Sequence, residues 1–373
     1  MGLTKLGAYI EQSDARNADL RYGADAVVGL STQKQMIDTK ADLSGVSLAS
    51  YKLFRPQEFA YVPDTSRRDD KMALAFNATD TTYLVSSISI VFRVADSGSL
   101  LADYLYVYFN RPEFDRYARF HSWGSARETF SWEDMCDIKI DLPPLLVQQK
   151  YVAVYRAMCV NQQSYECGLE DLKLVCDGYI EELRRKLPAQ KIGAYLTQSD
   201  ERNGDRYGVA SVRGLAVSKE MIATKADMKG VSLARYKVVP PQYLAYVPDT
   251  SRRGDKVSLG FNDTDETFLV SSISTVFSTQ QNKLLPAYLM LFFSRDEFDR
   301  YARFHSWGSA RETFDWQELC DVEIPIPDIT VQESIANIYR VYKERQAINA
   351  QLKEQIKSIC PILVREACME AHS

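Results

Sequence analysis

Between Leu145 and Leu187 the chain has no proline and only two glycines, at 168 and 178. Along this stretch Tyr151, Tyr155, Met158, Gln162, Tyr165, Leu169, Leu172, Cys176, Tyr179 and Leu183 fall at alternating spacings of four and three. That period lines one face of a helix. Held without a break from 151 to 183, it predicts a helix packed along a partner helix. A second stripe runs through Ile335, Ile338, Tyr342, Arg345, Asn349, Leu352, Ile356, Ile359 and Leu363 at the complementary spacing. Pro361 predicts a kink or a stop near the C-terminal turn of that helix. Each segment, at about 40 residues and about 1.5 Å per residue, makes a rod of roughly 60 Å.

Elsewhere the pattern changes period. Apolar, β-branched runs such as TYLVSSISIVF (82–92) and TFLVSSISTVF (267–277) predict buried strands. Segments 99–120 and 284–304 predict helix, and DIKIDLPPL and DVEIPIPDI predict short strands that end in proline. The fold class is therefore mixed α/β (α+β). Boundaries fall at about 1–144, 145–187, 188–328 and 329–373.

The two halves are copies of one another. EFDRYARFHSWGSARETF occupies 113–130 and recurs unchanged at 297–314; AYVPDTSRR recurs at 60–68 and 245–253, and LVSSIS at 84–89 and 269–274. The openings match as well, KLGAYIEQSDARN from Lys5 against KIGAYLTQSDERN from Lys191. A unit this long is a domain rather than a solenoid repeat. Divergence is uneven. The tracts 24–36 and 93–112 differ at many positions from their counterparts 209–221 and 278–296.

Composition narrows the class. The 373 residues include 45 Lys+Arg and 50 Asp+Glu, so the net charge of −5 gives no hint of a polyanionic partner. By segment, 16 basic residues face 20 acidic in 1–144, and 17 face 19 in 188–328. Non-specific attraction to phosphates by this chain alone should accordingly be weak. Seven cysteines, odd in number and never spaced CxxC, argue against a disulfide framework or zinc knuckle and fit a reduced cytoplasmic protein. No apolar run approaches the roughly 18 residues of a membrane span.

Three tracts are candidates for chemistry. PDTSRRDDK (63–71) resembles a metal-nuclease pattern, but Asp64 and Asp69 are close together and the second copy has Gly254 in place of the acid. The alternative is a polar loop whose Arg67, Arg68 and Lys71, with Arg252, Arg253 and Lys256, meet phosphates or base edges, or one held by local salt bridges. FHSWGSARETF follows a helix that carries Arg116 and Arg119 (Arg300 and Arg303). Ser122, Gly124 and Ser125 (Ser309 in the second copy) suit a tight turn, and Arg127 and Arg311 suit a phosphate or guanine. Trp123 fits either a base-stacking position or a half-buried core position. His121 and His305 have no nearby second metal ligand. On the helices, Gln162 and Gln346 sit on or beside the seam, where a buried polar group fixes register. Tyr151, Tyr155, Tyr165, Tyr339 and Tyr342 suit either a wide helix pair or a partner interface. There is no Asn/Asp-Pro-Pro-aromatic tetrapeptide, glycine-rich cofactor turn, P-loop or GxSxG, so no catalytic role is inferred.

The order of globular unit, proline-rich junction (Leu142–Gln148, Ile326–Gln332), long helix, and then all of it again resembles the specificity (S) subunit of Type I restriction-modification systems. The SWGSA turn (Ser122–Ala126, Ser306–Ala310) carries the same resemblance. It implies two target recognition domains on two antiparallel helices, with one half of a bipartite double-stranded DNA site read by each domain. It also implies two methyltransferase subunits and restriction subunits as partners. S-adenosylmethionine would then lie in the methyltransferase, ATP and magnesium in the restriction subunit, and no cofactor or metal in this chain. Base-reading residues are expected in the divergent tracts, and the likeness of the two copies predicts similar half-sites.

Overall fold

The computed structural model describes residues 3–39, 41–66, 71–125, 127–224, 226–250, 256–309 and 311–372. The chain divides into two units. Unit 1 comprises Met1–Tyr165 with Ile348–Ser373, and unit 2 comprises Glu166–Ala347.

In unit 1 a four-stranded antiparallel sheet orders its strands Ile10–Ser13, Ile90–Val94, Glu58–Tyr61 and Leu74–Phe76. The strand Glu58–Tyr61 is buried along its whole length, so the two-residue period is masked by cover on both faces. Phe59, Tyr61, Leu74, Phe76 and Phe92 enter the main core, while Ala60, Ala75 and Val91 pack on the opposite face with Phe54 and Val85. The Phe59 ring stacks on Phe76 at 4.7 Å and on Phe92 at 5.1 Å. Three short helices cover the main core: α1 (Ala102–Phe109), α2 (Pro112–Phe120) and α3 (Trp132–Cys136). Helix α2 starts with Pro112 at its first position and acids in its first turn, and it has Arg119 in its last, so each end complements the helix dipole. The run 82–92 is two strands rather than one, because Ser86–Ser89 closes a turn between Tyr83–Val85 and Ile90–Val94.

The fourth side of that core comes from two long helices, α4 (Leu145–Lys186) and, far along the chain, α8 (Ile329–His372). Unit 2 repeats the plan with strands Leu196–Ser199, Thr275–Thr279, Leu244–Tyr246 and Leu259–Phe261. Its covering helices are α5 (Pro286–Phe293), α6 (Asp296–Phe304) and α7 (Trp316–Cys320), and α8 spans Ile329–His372. Within each unit the segments of α4 and α8 run antiparallel. In unit 1, Lys150 and Tyr151 reach Glu370 at 2.6 and 3.0 Å, and Gln162 donates to Asn349 at 2.8 Å. In unit 2, Cys176 and Ile180 share a core with Ile335 and Ile338, and a side chain at Gly168 would meet Arg345.

Two expectations about these helices need correction. The buried stripe follows the strict spacing only through the middle of α4. At the ends Val152 is buried rather than Tyr151, and Ile180 is fully buried while Tyr179 is 46% exposed. An α-helix drifts by about 20° per heptad from a 3.5-residue repeat, and the ends face domain cores instead of following a supercoil. Helix α8 also does not stop at Pro361 but continues to His372, because Leu363, Val364 and Ala367 are buried in the unit 1 core. The proline still forfeits one helical hydrogen bond. Pro361→Ala is therefore expected to raise the thermal midpoint by roughly 6–12 °C, from a helix-interior cost of about 3 kcal/mol for proline. Scanning calorimetry checks it.

Candidate nucleic-acid interface

The two most strictly repeated tracts are neighbours in space. Trp123 and Thr129 exchange backbone hydrogen bonds at 3.1 and 3.0 Å, which closes the SWGSARET tract into a tight hairpin. The hairpin docks on the PDT tract. Thr65 donates its amide to the Glu128 carbonyl at 2.9 Å, and Phe130 donates to that of Pro63 at 2.9 Å. Unit 2 reproduces the arrangement with Trp307 and Thr313 at 3.1 and 3.0 Å, and with Thr250 to Glu312 at 3.0 Å. Gly124 and Gly308 sit at φ 142° and 141°, and a Cβ on either would be driven into the carbonyl oxygen of Arg127 or Arg311. Only glycine fits there.

Just beyond the PDTSRRDDK tract, the backbone of Met72 is held by a pair of charges absent from the sequence-based candidates. Lys34 and Asp115 form an ion pair with side chains 4% and 17% exposed. The Lys34 ammonium also donates to the Met72 carbonyl at 2.7 Å, while the Asp115 carboxylate accepts the Met72 amide at 2.9 Å. Both backbone groups of Met72 are thereby satisfied by one buried pair. Lys219 and Asp299 do the same for Val257, at 2.7 and 2.9 Å. Burial pushes both ammonium groups below the ordinary lysine range, and the carboxylates oppose that shift. A lysine in a polar turn looks solvated. The available signal was that Lys34 and Lys219 are the retained charged residues within tracts where, besides them, only Val27, Gly29, Leu30 and Met36 match their counterparts.

The candidate residues separate into distinct environments. Arg67, Arg68, Arg252 and Arg253 lie outside the described residues, as do Asp69 and Gly254, so the nuclease pattern falls largely outside them too. Lys71, Lys256, Ser125 and Ser309 are exposed. Arg127 and Arg311 are exposed and form no ion pair with a described residue. Arg119 and Arg303 instead pair with Glu128 and Glu312, bracing the hairpin against its helix. The copies part at the next arginine. Arg116 pairs with Glu113 at 3.3 Å, but the equivalent Glu297 binds Arg184 at 2.7 Å and Arg295 at 3.3 Å. Arg300 is left to line a cleft of about 420 Å³ in unit 2.

Trp123 and Trp307 are 64% and 61% exposed, so they are surface rather than core; Phe120 and Phe304, at 74% and 75%, were missed. His121 and His305 stack on Tyr117 and Tyr301, both at 4.2 Å. Among the described residues no group of three His, Cys, Asp or Glu could hold a metal. None of the described helices is long and apolar enough to cross a membrane. All seven cysteines are free, and burial pushes the Cys360 thiol up to about 12.

On the long helices Tyr155 is buried and meets Tyr106 edge-on at 6.2 Å, while Tyr151 and Tyr165 are half-buried. Tyr339 donates to Ser294 at 2.6 Å and stacks with Tyr342 at 6.0 Å. Gln162 is half-buried on the seam, as its spacing predicts. Gln346 is exposed and accepts from Lys343 at 3.1 Å, off the seam. The copies therefore use equivalent glutamines differently.

No protein-family model matches the sequence, and no curated protein matches it. Its fold, however, matches the crystal structure of a Type I restriction-modification system S subunit from M. genitalium. The TM-score is 0.63 and the identity 7%, over 98% of this chain and 95% of that one. Two more solved structures overlay 98% of the chain at lower scores. One is a chain from work on complex assembly and conformational transition of the type I R-M system (TM-score 0.46, 12% identity, 97% of that chain). The other is the HsdS subunit from Thermoanaerobacter tengcongensis (TM-score 0.37, 13% identity, 95% of that chain). The chain thus has the fold of a Type I specificity subunit.

Proposed function

We propose that the chain is the non-catalytic DNA-specificity subunit of a Type I restriction-modification complex. In this reading each unit recognises one half of a bipartite site, and the long helices carry the methyltransferase and restriction subunits. The likeness of fold over 98% of the chain is the observation that carries it. Two copies of the same exposed hairpin support it, each with an arginine that forms no ion pair with a described residue. Because neither recognition domain is basic overall, most phosphate neutralisation falls to the partners. S-adenosylmethionine, ATP and magnesium belong to those partners.

The test is co-expression with a Type I methyltransferase subunit, followed by long-read sequencing of methylated bases. One bipartite motif, methylated only when this chain is present, is the expected result. Methylation independent of the chain would overturn the reading. So would metal-dependent cleavage of DNA by the purified chain alone, which is the outcome a nuclease predicts.

A further inference from the structure

Among the described charges of both units, one arrangement is hidden, repeated and joined through a single backbone unit to an exposed lysine. Lys34 lies at the tip of the hairpin Val28–Leu30/Met36–Asp38, inside a divergent tract, and has a left-handed backbone at φ 62°. Asp115 lies on α2, four residues before Arg119, which braces the SWGSA hairpin. Their shared backbone partner, Met72, immediately follows the exposed Lys71. In unit 1 the tie has a third arm, since the Tyr106 hydroxyl donates to the Lys34 carbonyl at 2.9 Å. Lys219, at φ 65°, repeats the geometry with Asp299 and Val257.

We infer that Lys34–Asp115 and Lys219–Asp299 are positioning pairs, which set the placement of the exposed Lys71 and Lys256 by tying the backbone of Met72 and Val257 to the divergent hairpin. The pairs touch no solvent-facing ligand themselves. They act through residue 72 or 257, whose amide and carbonyl would otherwise need water. Without the pair those two groups must find water, and the exposed Lys71 or Lys256 loses its fixed place. A single buried tie also means that substitutions in the divergent hairpin are felt at Lys71 and Lys256. This rests on the chain being a DNA-specificity subunit.

The decisive variant is Lys34→Met combined with Asp115→Leu. Swapping a buried ion pair for apolar residues of similar size leaves most folds intact, while both side-chain hydrogen bonds to the Met72 backbone are lost. Hydrogen exchange on the chain alone should show faster exchange at Met72 and Ala73, with Val257 unchanged. In the complex with its methyltransferase subunits, read by long-read sequencing of a randomised plasmid library, one half of the methylated motif should blur. Discrimination there should fall by about tenfold, with the other half intact. Lys219→Met with Asp299→Leu should blur the opposite half. Asp115→Asn keeps an acceptor for the Met72 amide and removes only the counter-charge; it covers the case of a misfolded double variant and should blur the same half less. A merely structural pair would lower total methylation evenly and leave the motif sharp, and that outcome overturns the inference. Unchanged exchange at Met72 overturns it too. A wild-type complex without any motif would refute the DNA-reading itself.

Discussion

Gly124→Ala is expected to abolish recognition of one half-site while the remainder of the chain stays folded. The alanine Cβ has nowhere to go, since the Arg127 carbonyl already occupies that volume and φ at 142° disfavours any side chain. Strain of about 1–3 kcal/mol from the dihedral alone adds to the clash. The hairpin can relieve both only by breaking the paired bonds between Trp123 and Thr129. Arg127 and Trp123 then lose their fixed presentation, and the Thr65–Glu128 contact that seats the neighbouring loop goes with them. Sequencing of methylated bases should show the motif reduced to its other half. Gly308→Ala should remove that half instead. A full motif from either variant would show that the turn has no part in reading.

Gln148→Leu is expected to be the most destabilising single change on the long helices. Gln148 is fully buried where α4 begins. Its side-chain oxygen accepts the Leu101 amide at 2.9 Å, and its nitrogen donates to the carbonyls of Ser99 and Pro143, both at 2.8 Å. One amide thus joins the start of α1, the proline junction and the long helix. Leucine fills the space and leaves three backbone groups without partners, a cost of about 3–5 kcal/mol in total. For a unit of this size the thermal midpoint should fall by roughly 10 °C, measurable by calorimetry. Gln332 makes the same three bonds in unit 2, to Leu285, Lys283 and Pro327, so Gln332→Leu should behave alike. A shift within 2 °C of wild type for both (roughly half a kcal/mol) would mean the groups find water instead.

Much of this was legible in the chain itself, at the level of elements. The paired long helices follow from spacing, and the strands from β-branched runs, because local period reports which face is covered. Where one segment serves two surfaces, period fails. The ends of α4 shift by a residue because they pack on domain cores, and Pro361 is overridden by the apolar residues that follow it. The loop tracts were visible as repeated strings. That Asp64 lies beside Thr129 was not, since no local pattern encodes a contact across so many positions. Lys34 was hidden by its chemistry, as a buried lysine is rare enough that turn context suggests water.

Unit 1 is discontinuous, built from residues up to 165 and again from 348, whereas unit 2 is one uninterrupted stretch. On a ribosome this reverses the usual order of maturation. The domain encoded second has all its parts once residue 347 has emerged. The domain encoded first waits with an open flank where Cys360, Leu363, Val364 and Ala367 belong. At about 5–20 residues per second, that flank is bare for the whole time the second domain takes to be made. Truncation near the C-terminus would therefore injure the N-terminal domain, leaving a nascent chain whose apolar surface is a target for chaperones.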